Sequence, residues 1–325
     1  MDMLVKALVL GSAFVSAGAI AAAASGDGLP VLGVDVGTQG VAARTVPVRY
    51  VTLRGAGETI VARTARVGGR VLRFATVPGT FTIPAVAYDG SSSGLSADAG
   101  TLVLIEPRTG FPRARTALAV MDARRLRLRK VIDLRGDFSF DAISPGGRTL
   151  YLIQYTSRFD PAKYVVRAYD LPAGRLFRAP VVDPHEHGDE MRGSPLTRAT
   201  SPGGRWAYTL YDGGGMTPFV HALDTANRRA RCIDLPALTG RQDLSQLRLG
   251  VEPGGVSLTV RTPQRTLAVV DLASFRVVAP AVGASGGDRD ARLLAAVLAV
   301  ASASALALGR RRLRNRSPHL PVRAD

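Results

Sequence analysis

Apolar residues in this chain recur in short runs separated by turns rich in proline and glycine. The clearest case spans residues 138–155: an apolar run over 140–143, a Ser-Pro-Gly-Gly turn, and a second run over 148–153. Proline presets one turn position at a φ of about −65°, and glycine allows positive φ at the next, so the chain can reverse there with little strain. The pattern predicts a β-hairpin.

The same hairpin recurs about every 50 residues, the period of propeller blades. Its turns are anchored by one residue each: Ser96, Ser144, Ser201 and Glu252. Downstream of each turn, an apolar run ends at an aspartate that opens a turn into a fourth strand. These aspartates are Asp122, Asp170, Asp224 and Asp271. Four strands per repeat predict an all-β fold built of propeller blades.

The repeats predict a β-propeller of about five four-stranded blade equivalents over residues 31–281. Short strands at 48–53, 59–64 and 71–77 fit a degenerate first blade. The predicted blades cover residues 31–80, 81–136, 137–184, 185–237 and 238–281.

The Ser-Pro-x-Gly-Arg hairpins, each followed by an apolar strand and then by a strand ending in aspartate, resemble the repeats of TolB-like and YVTN-type β-propellers. The chain also looks like the membrane-anchored propeller-like proteins common in high-GC bacteria. The resemblance covers about residues 80–280 and implies the fold, whereas propellers host binding proteins and enzymes alike. TolB-like repeats usually carry aspartate where this chain has Gly146 and Gly203. The Gly-His and Trp-Asp pair of WD40-like repeats is missing.

Both ends of the chain differ from the repeats. Residues 1–25 combine Lys6, an apolar run over 7–24 and small residues before Ser25, which predicts a signal peptide; an uncleaved membrane anchor is the alternative. Residues 282–292 are mostly polar and are predicted to form a short stalk. Residues 293–309 carry no charge and would span about 25 Å as a helix.

The arginine-rich segment 310–325 follows that run directly, which predicts a transmembrane helix with a basic cytoplasmic tail. A buried alanine-rich helix is the alternative. The expected location is the cell membrane, with a single pass and the bulk of the chain extracytoplasmic.

The charge and the cysteine content of the chain limit the kinds of partner and site that we expect. Lys and Arg total 42 against 26 Asp and Glu, but the arginines are scattered and aromatic residues make up only 6% of the chain. Because nucleic-acid binding needs a clustered basic patch with stacking rings, it is not expected. A basic surface favours anionic envelope polymers or lipid headgroups. The single cysteine, Cys232, allows no internal disulfide or cysteine-pair metal site and fits a small core residue.

Long irregular loops on one face of a rigid scaffold are where function usually sits. In the predicted propeller they cover residues 88–93, 155–163, 183–195 and 211–218. The candidate binding residues of this face are Tyr88, Asp89, Arg158, Asp160, His185, His187, Asp189, Arg192 and Asp212. The two histidines could ligate a divalent metal, but no third distant ligand is identifiable, so a solvated acidic loop is favoured. We predict no metal site and no cofactor.

Two further candidates come from superposing the repeats. Three residues before the turn serine, successive inner strands carry Asp141 and Arg198. Equivalent positions face the same way, so we predict an ion pair at the channel wall, because a buried charge is costly unless it is paired. The alternative is that both side chains point into solvent.

The sequence favours a membrane-tethered module that binds a ligand or protein, or scaffolds an envelope assembly. A hydrolase or lyase with its site in the channel is the alternative. No Gly-x-Ser-x-Gly motif is present, and Ser144 and Ser201 occupy structural turns. A signal sensor is disfavoured, because the tail after Gly309 is too short for an output domain. An enzyme should gather pKa-perturbed groups in a deep pocket, and a scaffold should not.

Overall fold

The computed structural model describes residues 40–186 and 191–279. The predicted signal peptide, stalk, transmembrane helix and tail lie outside these residues, as do His187 and Asp189. Within the two ranges, no helix has the length and apolar character needed to cross a bilayer.

The described chain consists almost entirely of β-strands. In chain order the strands are β1 Val41–Ala42, β2 Val48–Arg54, β3 Glu58–Ala65, β4 Val71–Pro78, β5 Thr101–Ile105, β6 Arg115–Asp122, β7 Arg127–Arg135, β8 Phe138–Ile143, β9 Thr149–Tyr155, β10 Lys163–Asp170, β11 Arg175–Leu176, β12 Met191–Arg192, β13 Pro195–Thr200, β14 Trp206–Tyr211, β15 Phe219–Asp224, β16 Arg229–Asp234, β17 Arg248–Val251, β18 Ser257–Arg261, β19 Thr266–Asp271 and β20 Arg276–Ala279. Three short 3-10 turns lie at Gly213–Gly215, Pro236–Leu238 and Leu244–Gln246. The three strands expected in the first repeat are confirmed as β2, β3 and β4.

The strands form five consecutive antiparallel sheets. Sheet one contains β1–β4, sheet two β5–β7, sheet three β8–β11 with β12 paired to β10, sheet four β13–β16, and sheet five β17–β20. In each sheet, neighbouring strands follow one another along the chain, apart from β12. This is the up-and-down arrangement of propeller blades.

Two sheets depart from the expected four strands. Sheet two has three, because the segment that should supply its innermost strand makes only isolated bridges, Thr82 to Ile105 and Leu95 to Leu102. Pro84 lacks an N–H for a regular ladder. A Cβ on Gly94 would lie 2.4 Å from the carbonyl oxygen of Val103, so this segment approaches β5 too closely for a side chain there. Sheet three has five strands because β12 adds to it.

The repeated turns are held by their serines. The Ser144 hydroxyl accepts hydrogen bonds from the N–H groups of Arg148 (3.0 Å) and Thr149 (2.9 Å). Gly147 closes the turn at a φ of 68°. A Cβ there would lie 2.4 Å from the Thr101 hydroxyl of sheet two, so both backbone conformation and packing require glycine. The predicted hairpin turn is confirmed.

The repeated aspartates also have the expected role. Each accepts a hydrogen bond from a backbone N–H two or three residues further on, which closes the turn into the outermost strand. The pairs are Asp122 with Arg125, Asp170 with Ala173, Asp224 with Ala226, and Asp271 with Ser274.

Hydrophobic cores join the sheets in sequence. Tyr50 belongs to the core between sheets one and two, Phe140 to that between two and three, Tyr151 to that between three and four, and Tyr208 to that between four and five. Within residues 40–186 and 191–279, no such core joins sheet five to sheet one. The inner strands of sheets one, three and four, together with residues 92–97 before β5, line a central cavity of about 160 Å³.

Candidate functional site

The long loops predicted to form one face come together around sheet four. Residues Lys163 and Arg192 are paired between β10 and β12. The Asp212 carboxylate accepts a hydrogen bond of 2.8 Å from the Ser194 N–H. Tyr88 donates its N–H to the Pro195 carbonyl at 2.9 Å, which brings the loop before sheet two to the first strand of sheet four.

A pocket of about 340 Å³ opens on this face between sheets three and four. Its wall includes Asp183, Arg192, Met216, His221 and Cys232. In it, the candidate residue Arg192 meets titratable side chains of sheet four, among them His221 and Cys232. We refer to it as the loop-face pocket.

Four residues of sheet four lead from the central cavity to this pocket. Strand pairing places Arg198, Thr209, His221 and Cys232 side by side, one on each of β13 to β16. Paired residues of neighbouring strands share a face, and here that face packs on sheet three. Arg198 lines the central cavity, and His221 and Cys232 line the loop-face pocket. We call these four residues the polar row.

The predicted Asp141–Arg198 ion pair is confirmed at the inner end of the row. The Arg198 guanidinium donates one hydrogen bond to the Asp141 carboxylate and another, of 2.9 Å, to its main-chain carbonyl. The side chains are only 6% and 2% exposed, so the pair is buried and not at the solvent-facing position of the alternative. The second carboxylate oxygen of Asp141 has no hydrogen-bond partner among the described residues.

His221 is buried in the middle of the row. Burial lowers its pKa to about 4, because the charged imidazolium loses its solvation; the Arg198 charge acts in the same direction and the Asp141 charge opposes it. The ring is therefore neutral at pH 7. It can donate or accept a hydrogen bond there, but it is poorly matched to proton transfer near neutral pH.

Cys232 is half-buried at the outer end and lines the pocket, so it is not the core residue expected from the sequence. Burial, together with the nearby Asp183 charge, raises the pKa of its thiol to about 12. Because the thiolate is the nucleophile, this thiol is unreactive at neutral pH.

Asp183 supports the outer strand of sheet four. Its carboxylate accepts hydrogen bonds from the N–H groups of Cys232 (2.8 Å) and His185 (3.0 Å). Burial by itself raises the pKa of Asp183, but these hydrogen bonds and the charge of Arg231 outweigh burial and lower it. The carboxylate thus fixes the connection from sheet three to sheet four.

The remaining predicted residues are distributed around the pocket and its loops. The carboxylates of Asp89 and Asp160 accept backbone N–H groups within their own loops, from Ser91 and Ala162. Asp212 does the same for Gly214 in addition to Ser194. Arg158 and Arg192 are exposed, Tyr88 is half-buried, and His185 lies beside Asp183 with its ring largely in solvent.

A second buried ionic cluster, between sheets two and three, was not predicted. Arg108 donates to the Asp137 carboxylate at 2.7 Å and to Ser139, and the Arg113 N–H donates to the other carboxylate oxygen. Burial and the neighbouring Arg108 charge lower the pKa of Arg113 to about 10. Asp137 is shared by two arginines, and the cluster joins the connection after β5 to β8. Among the described residues, no group of three or more His, Cys, Asp or Glu is placed to hold a metal.

No protein-family model matches the chain, and no curated protein matches it. Solved structures similar to it include Kuenenia stuttgartiensis hydrazine synthase (16% identity, 72% of this chain and 63% of that one, TM-score 0.43). The Cps50 (Swd1) β-propeller domain of Myceliophteria thermophila has 10% identity over 76% of this chain and 68% of that one, with a TM-score of 0.42. TolB from Acinetobacter baumannii has 15% identity over 71% of this chain and 52% of that one, with a TM-score of 0.40. The chain thus spans about half of TolB and less than two thirds of the hydrazine synthase chain.

Proposed function

We propose that this protein is an extracytoplasmic, membrane-tethered propeller-like module that binds a ligand or protein segment of the cell envelope at the loop-face pocket. Its partner is a protein or an anionic envelope molecule, since Lys and Arg total 42 against 26 Asp and Glu in the chain. Residues 293–309 serve as the membrane anchor. The proposed topology is supported by the apolar first segment and the arginines after residue 309.

The observation that carries the binding role is the protonation state of the pocket. The pKa values of His221 and Cys232 are perturbed, as in many functional sites, but in directions that suppress acid–base and nucleophilic chemistry. His221 stays neutral with a pKa of about 4, and the Cys232 thiol stays protonated with a pKa of about 12. Catalytic groups that work at neutral pH instead have pKa values near 7. The pocket therefore fits hydrogen bonding and shape recognition better than bond cleavage.

A hydrolase or lyase is the second candidate. One observation favours it. The outer end of the polar row lines the pocket, and at the inner end of the row the second carboxylate oxygen of the buried Asp141 has no hydrogen-bond partner among the described residues. If the purified chain turned over an envelope substrate, and if His221→Asn abolished that turnover with the fold intact, this function would be established in place of simple binding.

The binding role is tested by photo-crosslinking in cells. A photoreactive amino acid is placed at Met216, which is exposed at the pocket rim. We expect one specific envelope product. The matched control carries the same group at Val131, exposed on sheet two, and should give none. Filling the pocket with Thr217→Trp should abolish the Met216 product, and the same change at Thr262 on sheet five should not. Identical products from both photoreactive positions would refute the site.

The topology is tested separately. A reporter fused at Asp288 should be active only in its exported form. Cytoplasmic activity at that position would reverse the proposed orientation and would leave the pocket experiment interpretable.

A further inference from the structure

Sheet one carries an unusual concentration of exposed apolar side chains. Val67 is 88% exposed in the β3–β4 turn, and Phe74 is 66% exposed on β4. Leu53 and Val71 are also exposed, as is Val46 in the loop between β1 and β2. We call these five residues the first-sheet patch. Isolated exposed apolar residues are ordinary, but a group of them marks an interaction surface.

Strand register explains why the patch faces outward. Tyr50 on β2 pairs with Arg63 on β3, and Tyr50 packs into the core shared with sheet two. Val51 and its partner Ala62 alternate to the opposite face, and Ala62 pairs with Phe74. Leu53 lies on that same face, two residues after Val51. Among the described residues, no core cluster covers it.

The loops at the end of the sheet extend the patch. The Arg66 N–H donates to the Pro47 carbonyl at 2.9 Å, so the β3–β4 turn lies against the loop that carries Val46. Val67 stands at the tip of that turn, followed by Gly68 and Gly69, both at positive φ. A β-hairpin with an apolar tip is therefore fixed to the sheet at its base.

The charge around the hairpin tip has one sign. Residues 59–88 contain four arginines and no aspartate or glutamate. Arg66 and Arg70 flank the tip; both are exposed and make no ion pair with a described residue. They form a cationic border beside the apolar side chains.

The positive charges distinguish between the molecules that could cover the first-sheet patch. A symmetric dimer through the patch would place the same arginines of two copies against one another, which is electrostatically unfavourable. An anionic lipid surface complements both properties, because arginines attract its phosphates while apolar and aromatic side chains enter the interface.

We propose that the first-sheet patch docks on an anionic lipid bilayer, with Val67 and Phe74 entering the headgroup region and Arg66 and Arg70 facing lipid phosphates. The contact would orient the tethered sheets on the membrane surface. It rests on the proposed function only for access to a membrane, and not on the loop-face pocket.

The test uses the full chain, with Cys232→Ser and Val67→Cys, carrying an environment-sensitive dye at residue 67. The protein is placed in nanodiscs of phosphatidylcholine alone, or of phosphatidylcholine with phosphatidylglycerol, both containing nitroxide-quencher lipids. We expect strong quenching only in the discs with phosphatidylglycerol, and its loss in high salt. The matched control carries the dye at Val131→Cys and should not be quenched.

The arginines are tested by the double change Arg66→Gln and Arg70→Gln, which affects exposed side chains and should leave the melting temperature unchanged. We expect it to weaken the partition of the dye-labelled hairpin into phosphatidylglycerol discs by about thirtyfold. Quenching that is absent in both lipids, or equal in both, would overturn the proposal. Dye self-quenching between copies in detergent would also overturn it and would show a protein–protein face instead.

If the proposed membrane anchor does not exist, the nanodisc experiment gives a different result than if only the patch does not bind lipid. A chain without a membrane anchor would not co-elute with phosphatidylcholine discs, whereas a functioning patch would still retain it on phosphatidylglycerol discs. An anchored chain without a functioning patch would co-elute with both and show no quenching at residue 67.

Discussion

Removing either charge of the Asp141–Arg198 pair should destabilise the protein, and removing both should cost less than the sum of the two single changes, because the two charges attract one another. At an effective dielectric constant of about 20, opposite charges about 4 Å apart attract by about 4 kcal/mol. Both side chains are almost fully buried, so removing one charge leaves the other without its partner in the interior. Part of the attraction survives in Asp141→Asn, because Arg198 still donates to the main-chain carbonyl of residue 141. We therefore expect a coupling energy of roughly 2 kcal/mol.

The assay is a double-mutant cycle of Asp141→Asn and Arg198→Gln, with the free energy of unfolding measured in urea. Trp206, the only tryptophan, reports on sheet four because its ring lies 6.2 Å from that of Tyr208. The matched control is the same cycle on Arg115 and Asp133, an ion pair with both side chains more than half exposed. Exposed pairs contribute about 0–1 kcal/mol, so the control coupling should be clearly smaller. Additive effects of Asp141→Asn and Arg198→Gln, within about 0.5 kcal/mol, would refute the reasoning.

Three further predictions concern the turns and the polar row. Gly147→Val should lower the free energy of unfolding by roughly 1–3 kcal/mol or more, whereas Gly146→Val, where nothing lies within 4 Å of a Cβ, should cost much less; equal melting temperatures would refute the turn assignment. Because the pKa of His221 is lowered from 6.5 to about 4, the unfolded chain binds more protons in that interval, so this residue's contribution to stability is complete above pH 6.5 and declines by roughly 3 kcal/mol toward pH 4. In urea titrations at several pH values, His221→Leu should flatten that decline, and an unchanged slope would contradict the burial argument. Native Cys232 should react with a thiol reagent at pH 7 far more slowly than in urea, and equal rates would show that its thiol is not held protonated.

Local features of this protein follow directly from its sequence. A Ser-Pro-Gly-Gly turn forms because Ser144 caps the backbone within five residues and Gly147 supplies positive φ. Alternating apolar residues likewise specify strands through residues that are close in sequence. The repeat period of about 50 residues groups these strands into successive sheets. Even the Asp141–Arg198 pair could be predicted, because equivalent positions of repeated units occupy equivalent places.

The loop residues show where sequence reasoning stops. From the sequence, Asp89, Asp160 and Asp212 are candidates because they are polar and lie in long loops. In the structure, their carboxylates accept nearby backbone N–H groups. A carboxylate that holds a turn and one that binds a ligand look the same in the sequence, since only the surrounding backbone geometry distinguishes them.

Tertiary structure alone decided the polar row and the first-sheet patch. Thr209, His221 and Cys232 are distant in sequence and became neighbours through strand register, and the burial of His221 is what lowers its pKa. Phe74 has the apolar character of a core residue, yet it is exposed because no described sheet packs on its face. Turn chemistry and strand alternation act over a few residues and can be predicted from the sequence, whereas burial and its electrostatic consequences depend on which sheets pack together.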